Sequence, residues 1–224
     1  MNLDQTLLKK IPLFKEIAPE DFHQLFSHVK AHTEQFKRGE FIFLSGSRID
    51  AFGIILSGHV QIIKEDVFGN RVLLSDLRTP EVFGESFVCS NNYTLTISAQ
   101  VIEDACILFF PFKPVLHVCH NACEFHNILI RNIVEMIAIK NIKLLEKLEV
   151  STKHSLREKI LTYLSLLSQE QKTKTLISPL NRISLADFLG VNRSSLTREL
   201  NQMQDEGLLS YSKNTYTLLR FEDI

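Results

Sequence analysis

Arg193, Ser194, Thr197 and Arg198 lie within two helical turns of one another near the end of the chain. Guanidinium groups pair with the acceptor edge of guanine in the major groove of DNA, and small hydroxyls take a base edge or a phosphate. That chemistry needs a surface which no core claims, and segment 183–200 provides one. It reads as a short helix, a turn at Gly190 and a second helix, with Leu185, Phe188 and Leu189 on one side of the first. Leu196, Leu200 and Met203 recur at helical spacing on the second, so the two helices share a core. Gly190 falls where the chain must reverse, and Asn192 or Ser194 can cap the helix that follows. Asn192, Arg193, Ser194, Ser195, Thr197 and Arg198 are the candidate DNA-reading residues.

The chain beyond the second helix supports this. Gly207 ends the helix, and two short apolar runs, 208–211 and 215–219, flank Ser212-Lys213-Asn214. This is a hairpin with Lys213 at its tip. A hairpin directly after a recognition helix is a wing, which touches the phosphate backbone beside the groove.

Those elements need a scaffold. The chain has 224 residues, 45% hydrophobic, enough for one or two packed domains. The start lacks a basic run followed by an apolar one, and no apolar stretch reaches the roughly 18 residues that span a bilayer. A soluble, cytoplasmic protein is expected, with no membrane partner and with its four cysteines as thiols. The net charge of −1 argues against nucleic acid until the chain is divided. Residues 151–224 carry 10 Lys+Arg against 8 Asp+Glu, or +2; residues 1–150 carry 15 against 18, or −3. Even +2 is small, so affinity must come from a local stripe and from two copies acting together.

Of the 16 phenylalanines, 14 precede Ser151. Between Phe36 and Phe112 short β-prone runs at 41–44, 52–56, 60–63 and 72–77 alternate with glycine-marked turns, as in a sandwich or barrel. Phe68-Gly69-Asn70 reads as a hairpin turn. After Pro114 neither proline nor glycine occurs until Pro179. Within that span Ile130, Ile133, Ile137, Leu144 and Leu148 recur at steps compatible with a heptad seam, broken once at Lys140 or Asn141. Such a stripe can bury against a symmetric partner, or pack on its own β-domain. Leu156, Ile160, Leu161, Leu164 and Leu167 start a new apolar face, which puts a hinge near Lys153 and His154. The expected domains are 1–120, 121–150 and 151–224, in an α+β class.

The order of β-domain, long helix and winged helix, with Lys37-Arg38-Gly39-Glu40, Leu56-Ser57-Gly58-His59-Val60, Phe68-Gly69-Asn70 and Phe83-Gly84-Glu85, closely resembles the Crp/Fnr family of bacterial transcription regulators. The resemblance covers almost the whole chain. It implies an N-terminal β-roll like a cyclic-nucleotide-binding domain, a long dimerisation helix and a C-terminal winged helix-turn-helix. It also implies a homodimer on a palindromic site in double-stranded DNA, with RNA polymerase as a further partner. The family commonly reads bases with an arginine, a glutamate and a second arginine; here those positions fall on Arg193, Ser194 and Arg198.

The effector pocket implied by the resemblance comprises Gly84, Glu85, Leu95, Thr96, Leu144 and Leu145. Nucleotide-binding members place an arginine and a hydroxyl residue where this chain has Leu95-Thr96. No Lys or Arg occurs between Thr79 and Phe112, while Glu81, Glu85, Glu103 and Asp104 all do. A buried phosphate needs paired charge, so cyclic AMP is not expected to bind. Leu144 and Leu145, which the family's dimer helix would turn to the pocket, are apolar. The family's iron-sulfur branch uses cysteines near the amino terminus, and none precedes Cys89.

Cys119, Cys123 and His126 stand at i, i+4 and i+7 on a helix, a face whose thiolates and imidazole suit zinc, iron or haem. The spacing matches no standard zinc knuckle, and small thiols also pack well. No cofactor or resident metal is therefore assigned. The expected function is a dimeric DNA-binding regulator, not an enzyme, answering an unknown small-molecule or redox effector or none. A cupin-type enzyme would need two or three strand histidines, and strand region 36–110 offers only His59.

Overall fold

The computed structural model describes residues 4–68, 70–90, 94–116 and 124–219. The chain divides into two compact units, residues 1–138 and 139–224.

The first unit opens with helical pieces. Helix α1 (Gln5–Leu8) is capped by the Asp4 carboxylate, which accepts the Thr6 N–H at 2.8 Å. Helix α2 (Phe22–Val29) ends where Lys30 turns left-handed. Leu8, Leu13, Phe14, Phe22, Leu25 and Phe26 are all buried. The Phe14 ring stands 5.6 Å from Phe22 and from Phe26 and 5.7 Å from Phe110, so these pieces cap one end of the β-domain with aromatic packing.

The sheet contains β1 (His32–Phe36), β2 (Phe41–Phe43), β3 (Ala51–Glu65), β4 (Arg71–Arg78), β5 (Val82–Phe83) and β6 (Ser98–Pro111). The order is β1-β6-β3-β4, with β2 also pairing β6 and β5 pairing β3. The described pairs are antiparallel. Sequence reasoning separates 52–56 from 60–63 by a turn at Ser57-Gly58. The structure instead runs β3 through both for 15 residues, with register irregularities around Ser57 and His59. Gly58 explains this: at φ +93 it kinks the strand, and a Cβ there would collide with the Asp104 carbonyl. The glycine marks a bulge at a close backbone approach. The hairpin around 66–70 forms as expected. Its organiser is Asp66, whose Oδ1 accepts the backbone N–H groups of Phe68 and Asn70.

After β5 come α3 (Glu85–Cys89) and, beyond β6, α4 (Phe112–Leu116) and α5 (Glu124–Ser151), a helix of 28 residues. Phe125, Leu129, Ile133 and Met136 on α5 are buried in the first unit's own core. Asn132 tightens the attachment, its amide donating to the carbonyls of Leu13 at 3.0 Å and Lys15 at 2.7 Å. Ile133 is therefore not free for a seam. The exposed stripe one position on is Val134, Asn141 and Leu148, flanked by Ile137 and Leu144 on one side and by Ala138 and Leu145 on the other. Val134 is 62% exposed, Leu144 64% and Leu148 56%. Ile130 and Ile137 are half-buried against the core.

The second unit packs α6 (Leu156–Gln171), β7 (Thr175–Ile177), α7 (Arg182–Leu189), α8 (Arg193–Asp205), β8 (Leu209–Ser212) and β9 (Thr215–Leu218) around Ile160, Leu164, Leu185, Leu196, Leu200 and Met203. Helix α6 starts with a capping box. The Ser155 hydroxyl accepts the Glu158 N–H, and the Glu158 carboxylate accepts the Ser155 N–H. Sequence reasoning expects a two-stranded wing; the structure adds β7 in the order β7-β9-β8. Three residues are too short for a periodic signal.

Candidate functional site

Helices α7 and α8 meet at Gly190, which adopts φ 68 and donates its N–H to the Ala186 and Asp187 carbonyls. Asn181 starts α7, its side-chain oxygen accepting the N–H groups of Ile183 and Ser184 at 2.9 Å. Asn192 occupies the N-cap position of α8, but its side chain makes no capping bond. It is exposed, as are Arg193, Ser194 and Arg198; Ser195 and Thr197 are half-buried. The Thr197 hydroxyl donates to the Arg193 carbonyl at 2.9 Å, which leaves its lone pairs for an incoming donor. Leu196, Leu200 and Met203 are fully buried on the opposite side. The expected partition of α8 into an anchored back and an open front is thus present.

A clamp that sequence spacing does not reveal holds the back of α8. Arg157 on α6 donates through Nε to Glu199 at 2.7 Å, and through both Nη atoms to Glu206 at 2.6 and 2.9 Å. The bidentate pair holds the Glu206 carboxyl below its ordinary value, chiefly through the Arg157 bonds and then through Gln202. Among the described residues no carboxylate forms an ion pair with Arg193, Arg198 or Lys213. Within α8, Glu199 faces backward to Arg157 and the arginines face forward, while Asp205 is exposed at the end of the helix.

Lys213 lies at the wing tip, where strand register Ser212↔Thr215 leaves Lys213 and Asn214 as the turn. It adopts φ 51, a left-handed conformation uncommon for a residue with a side chain. Two bonds constrain this turn: Ser178 N–H donates to the Asn214 carbonyl at 2.8 Å, and Arg182 donates to the Lys213 carbonyl at 3.2 Å. Arg182, which holds this turn, was missed by sequence reasoning, because its partner lies 31 residues away.

In the first unit Gly84 turns the chain at φ +84 between β5 and α3, and a Cβ there would press on the Phe43 ring at 3.3 Å. Glu85, directly after it, is buried. Leu95 is fully buried in a cluster with Phe43, Ile55, Phe83 and Val101, while Thr96 is exposed. The described residues that cluster with Leu95 are apolar. Leu144 and Leu145 are exposed positions of the second unit.

A further buried group is His59, whose Nε2 lies 2.6 Å from Asp76 Oδ1; Gln61 donates to the same oxygen at 2.8 Å. Burial raises the Asp76 carboxyl, yet the bonds from Gln61 and His59 outweigh it and hold the group below its usual range. Burial, with Glu85 nearby, pushes the Cys89 thiol up to about 11, and burial also raises Cys106. Both shifts disfavour the thiolate form. Cys119 and Cys123 lie outside the described residues. His126 is buried and donates through Nε2 to the Val115 carbonyl at 2.9 Å. Among the described residues no group of three His, Cys, Asp or Glu could hold a metal, and no helix is long and apolar enough to cross a membrane.

Comparison with known proteins agrees with this geometry. The cyclic nucleotide-binding domain family matches residues 33–122, and the Crp-like helix-turn-helix domain family matches residues 158–223. No curated protein matches significantly. Among solved structures, CprK complexed with OCPA superposes with a TM-score of 0.64 at 16% identity, covering 91% of this chain and 94% of that one. The c-di-GMP-responsive global regulator CLP of Xanthomonas campestris gives 0.56 at 17%, covering 91% and 100%. DNR of Pseudomonas aeruginosa gives 0.51 at 18%, covering 99% and 97%. At such identities these structures support the fold alone. With a cyclic-nucleotide-binding-type domain followed by a Crp-like helix-turn-helix, the chain belongs to the Crp/Fnr family of DNA-binding transcription regulators.

Proposed function

We propose that this protein is a homodimeric, sequence-specific regulator that binds a palindromic operator and takes an effector other than cyclic AMP, or none. The observation that carries the reading is the open front of α8. Arg193, Ser194 and Arg198 are exposed on a helix whose other face is buried and whose Glu199 is tied back to Arg157. Arg193 and Arg198 read bases, Ser194 faces the base pair that a glutamate reads in the family, and Lys213 contacts phosphate.

Two copies meet along α5 through Val134, Asn141 and Leu148, with Ile137, Leu144 and Leu145 beside them. Residues 121–150 thus serve as the dimerisation segment. The spacing of the stripe and the exposure of its large apolar residues support this reading, since monomeric proteins rarely leave such a stripe in water. In the front domain Leu95 replaces the cation that a cyclic phosphate requires. Gly84, Glu85, Leu95 and Thr96 therefore line a pocket for a ligand without a buried phosphate, or a vestigial one. RNA polymerase is the expected protein partner, and the protein acts in the cytoplasm. Selection of bound sequences from a random duplex pool tests the whole reading. Enrichment of an inverted repeat that is lost in Arg193→Ala/Arg198→Ala supports it, and failure to enrich any sequence contradicts it.

A further inference from the structure

The planar guanidinium of Arg182 lies 4.6 Å from the centre of the Tyr211 ring and 5.8 Å from that of Tyr216. These two rings stack on each other, 6.2 Å apart and inclined by 25°. From that position Nη2 donates to the Lys213 carbonyl at 3.2 Å, while Nη1 is buried without a hydrogen-bond partner. No described carboxylate bonds to Arg182, so ring faces and one backbone carbonyl hold it. Tyr211 is itself a junction. Its hydroxyl donates to Asn201 Oδ1 at 2.5 Å, and its N–H donates to Gln204 Oε1 at 3.2 Å, both on α8. One chain of contacts thus runs from the start of α7 through the wing strand to the recognition helix, and it closes on the turn residue held at φ 51.

We infer that Arg182 is a positioning residue for DNA binding: stacked on Tyr211, it fixes the left-handed turn at Lys213 and so sets the wing's ammonium group relative to α8. A stack of this kind needs a flat, delocalised cation, which lysine does not supply. The inference rests on the reading that Lys213 contacts phosphate. Its structural half, however, can be tested without DNA.

The test uses the full chain as Arg182→Lys, Lys213→Ala and the double variant. Each is checked by circular dichroism, with Tyr211→Phe, which keeps the ring but loses the bond to Asn201, as a second probe of the chain of contacts. Hydrogen exchange at the amide of Ser178, which donates to the Asn214 carbonyl of the wing turn, is read first. Arg182→Lys should exchange faster there while the α8 amides stay protected, and Tyr211→Phe should show a smaller rise. Wild-type exchange in Arg182→Lys overturns the inference. The salt dependence of binding to a random-sequence duplex is read next. The log–log slope should fall by about 0.9, one phosphate contact, in Arg182→Lys and in Lys213→Ala alike, and by no more in the double variant. A full slope in Arg182→Lys, or losses that add in the double variant, would mean that Arg182 acts as a charge of its own. Faster exchange with an unchanged slope in both single variants would show that the wing does not touch DNA, which sinks the Lys213 reading and the functional half of this one.

Discussion

The exposure of Arg193 and Arg198 was legible in the sequence because the apolar residues around them, Leu196, Leu200 and Met203, claim the other face of a helix. What the sequence could not show is why these cations stay available. Glu199, one residue after Arg198, is turned away by an arginine 42 residues earlier in the chain. If the assignments hold, Arg198→Ala costs about 1–3 kcal/mol on the selected site and relaxes the choice of base, whereas Lys213→Ala weakens every duplex alike. Equal effects of both on selected and random DNA would show that the roles are misassigned. Ser194→Glu should move the preferred half-site at one base pair while leaving non-specific affinity slightly reduced; an unchanged preference would place Ser194 off the bases. In the front domain, titration calorimetry should detect no binding of cyclic AMP or cyclic GMP. Leu95→Arg should not create binding, because it puts a charge among buried apolar side chains. A micromolar affinity in the natural protein would mean that a cation from elsewhere reaches the pocket.

Among the elements, α5 has two sets of apolar residues at similar spacing, and only the folded structure separates them. Periodicity picks out Ile133, but that side chain completes the β-domain core beside Leu129 and Met136. Ile133→Ala should therefore destabilise the first unit by about 2–5 kcal/mol without changing the oligomeric state. Leu148→Glu should yield folded monomers in sedimentation experiments; a dimer that survives it would move the interface off this stripe. Helices α1 and α2 went unread because they are only four and eight residues long, although Leu8 of the first and Phe22 and Phe26 of the second close the core. The clamp between α6 and α8 predicts a pH response. Glu206 has an ordinary value near 4.5 and is held lower when folded by Arg157. Its stabilising contribution is then complete above about pH 4.5 and is lost as the pH falls through the lowered value. Melting temperature should drop in that acid window for the natural protein, and less so for Glu206→Gln, which starts lower at neutral pH. Parallel pH curves for the two proteins would show that the pair contributes nothing.

At the scale of the molecule, the division into a β-rich front and a helix-turn-helix rear was legible from phenylalanine placement, glycine-marked turns and the proline-free stretch before Pro179. The continuity of β3 was not, because Gly58 signals a turn as strongly as it signals a bulge. Nor was the third wing strand, whose three residues carry no pattern. The functional consequence of the assembled chain is geometric. Two copies joined along α5 would present two α8 helices to one face of a duplex, and half-sites would then lie one helical turn, about 10 base pairs, or a multiple of it apart. The most direct test is hydroxyl-radical footprinting on the sequence selected from random DNA, combined with sedimentation of the complex. Two protected half-sites related by a two-fold axis are expected, spaced by whole helical turns and bound by two copies of the chain. One unrepeated protected patch bound by a single copy would contradict this expectation.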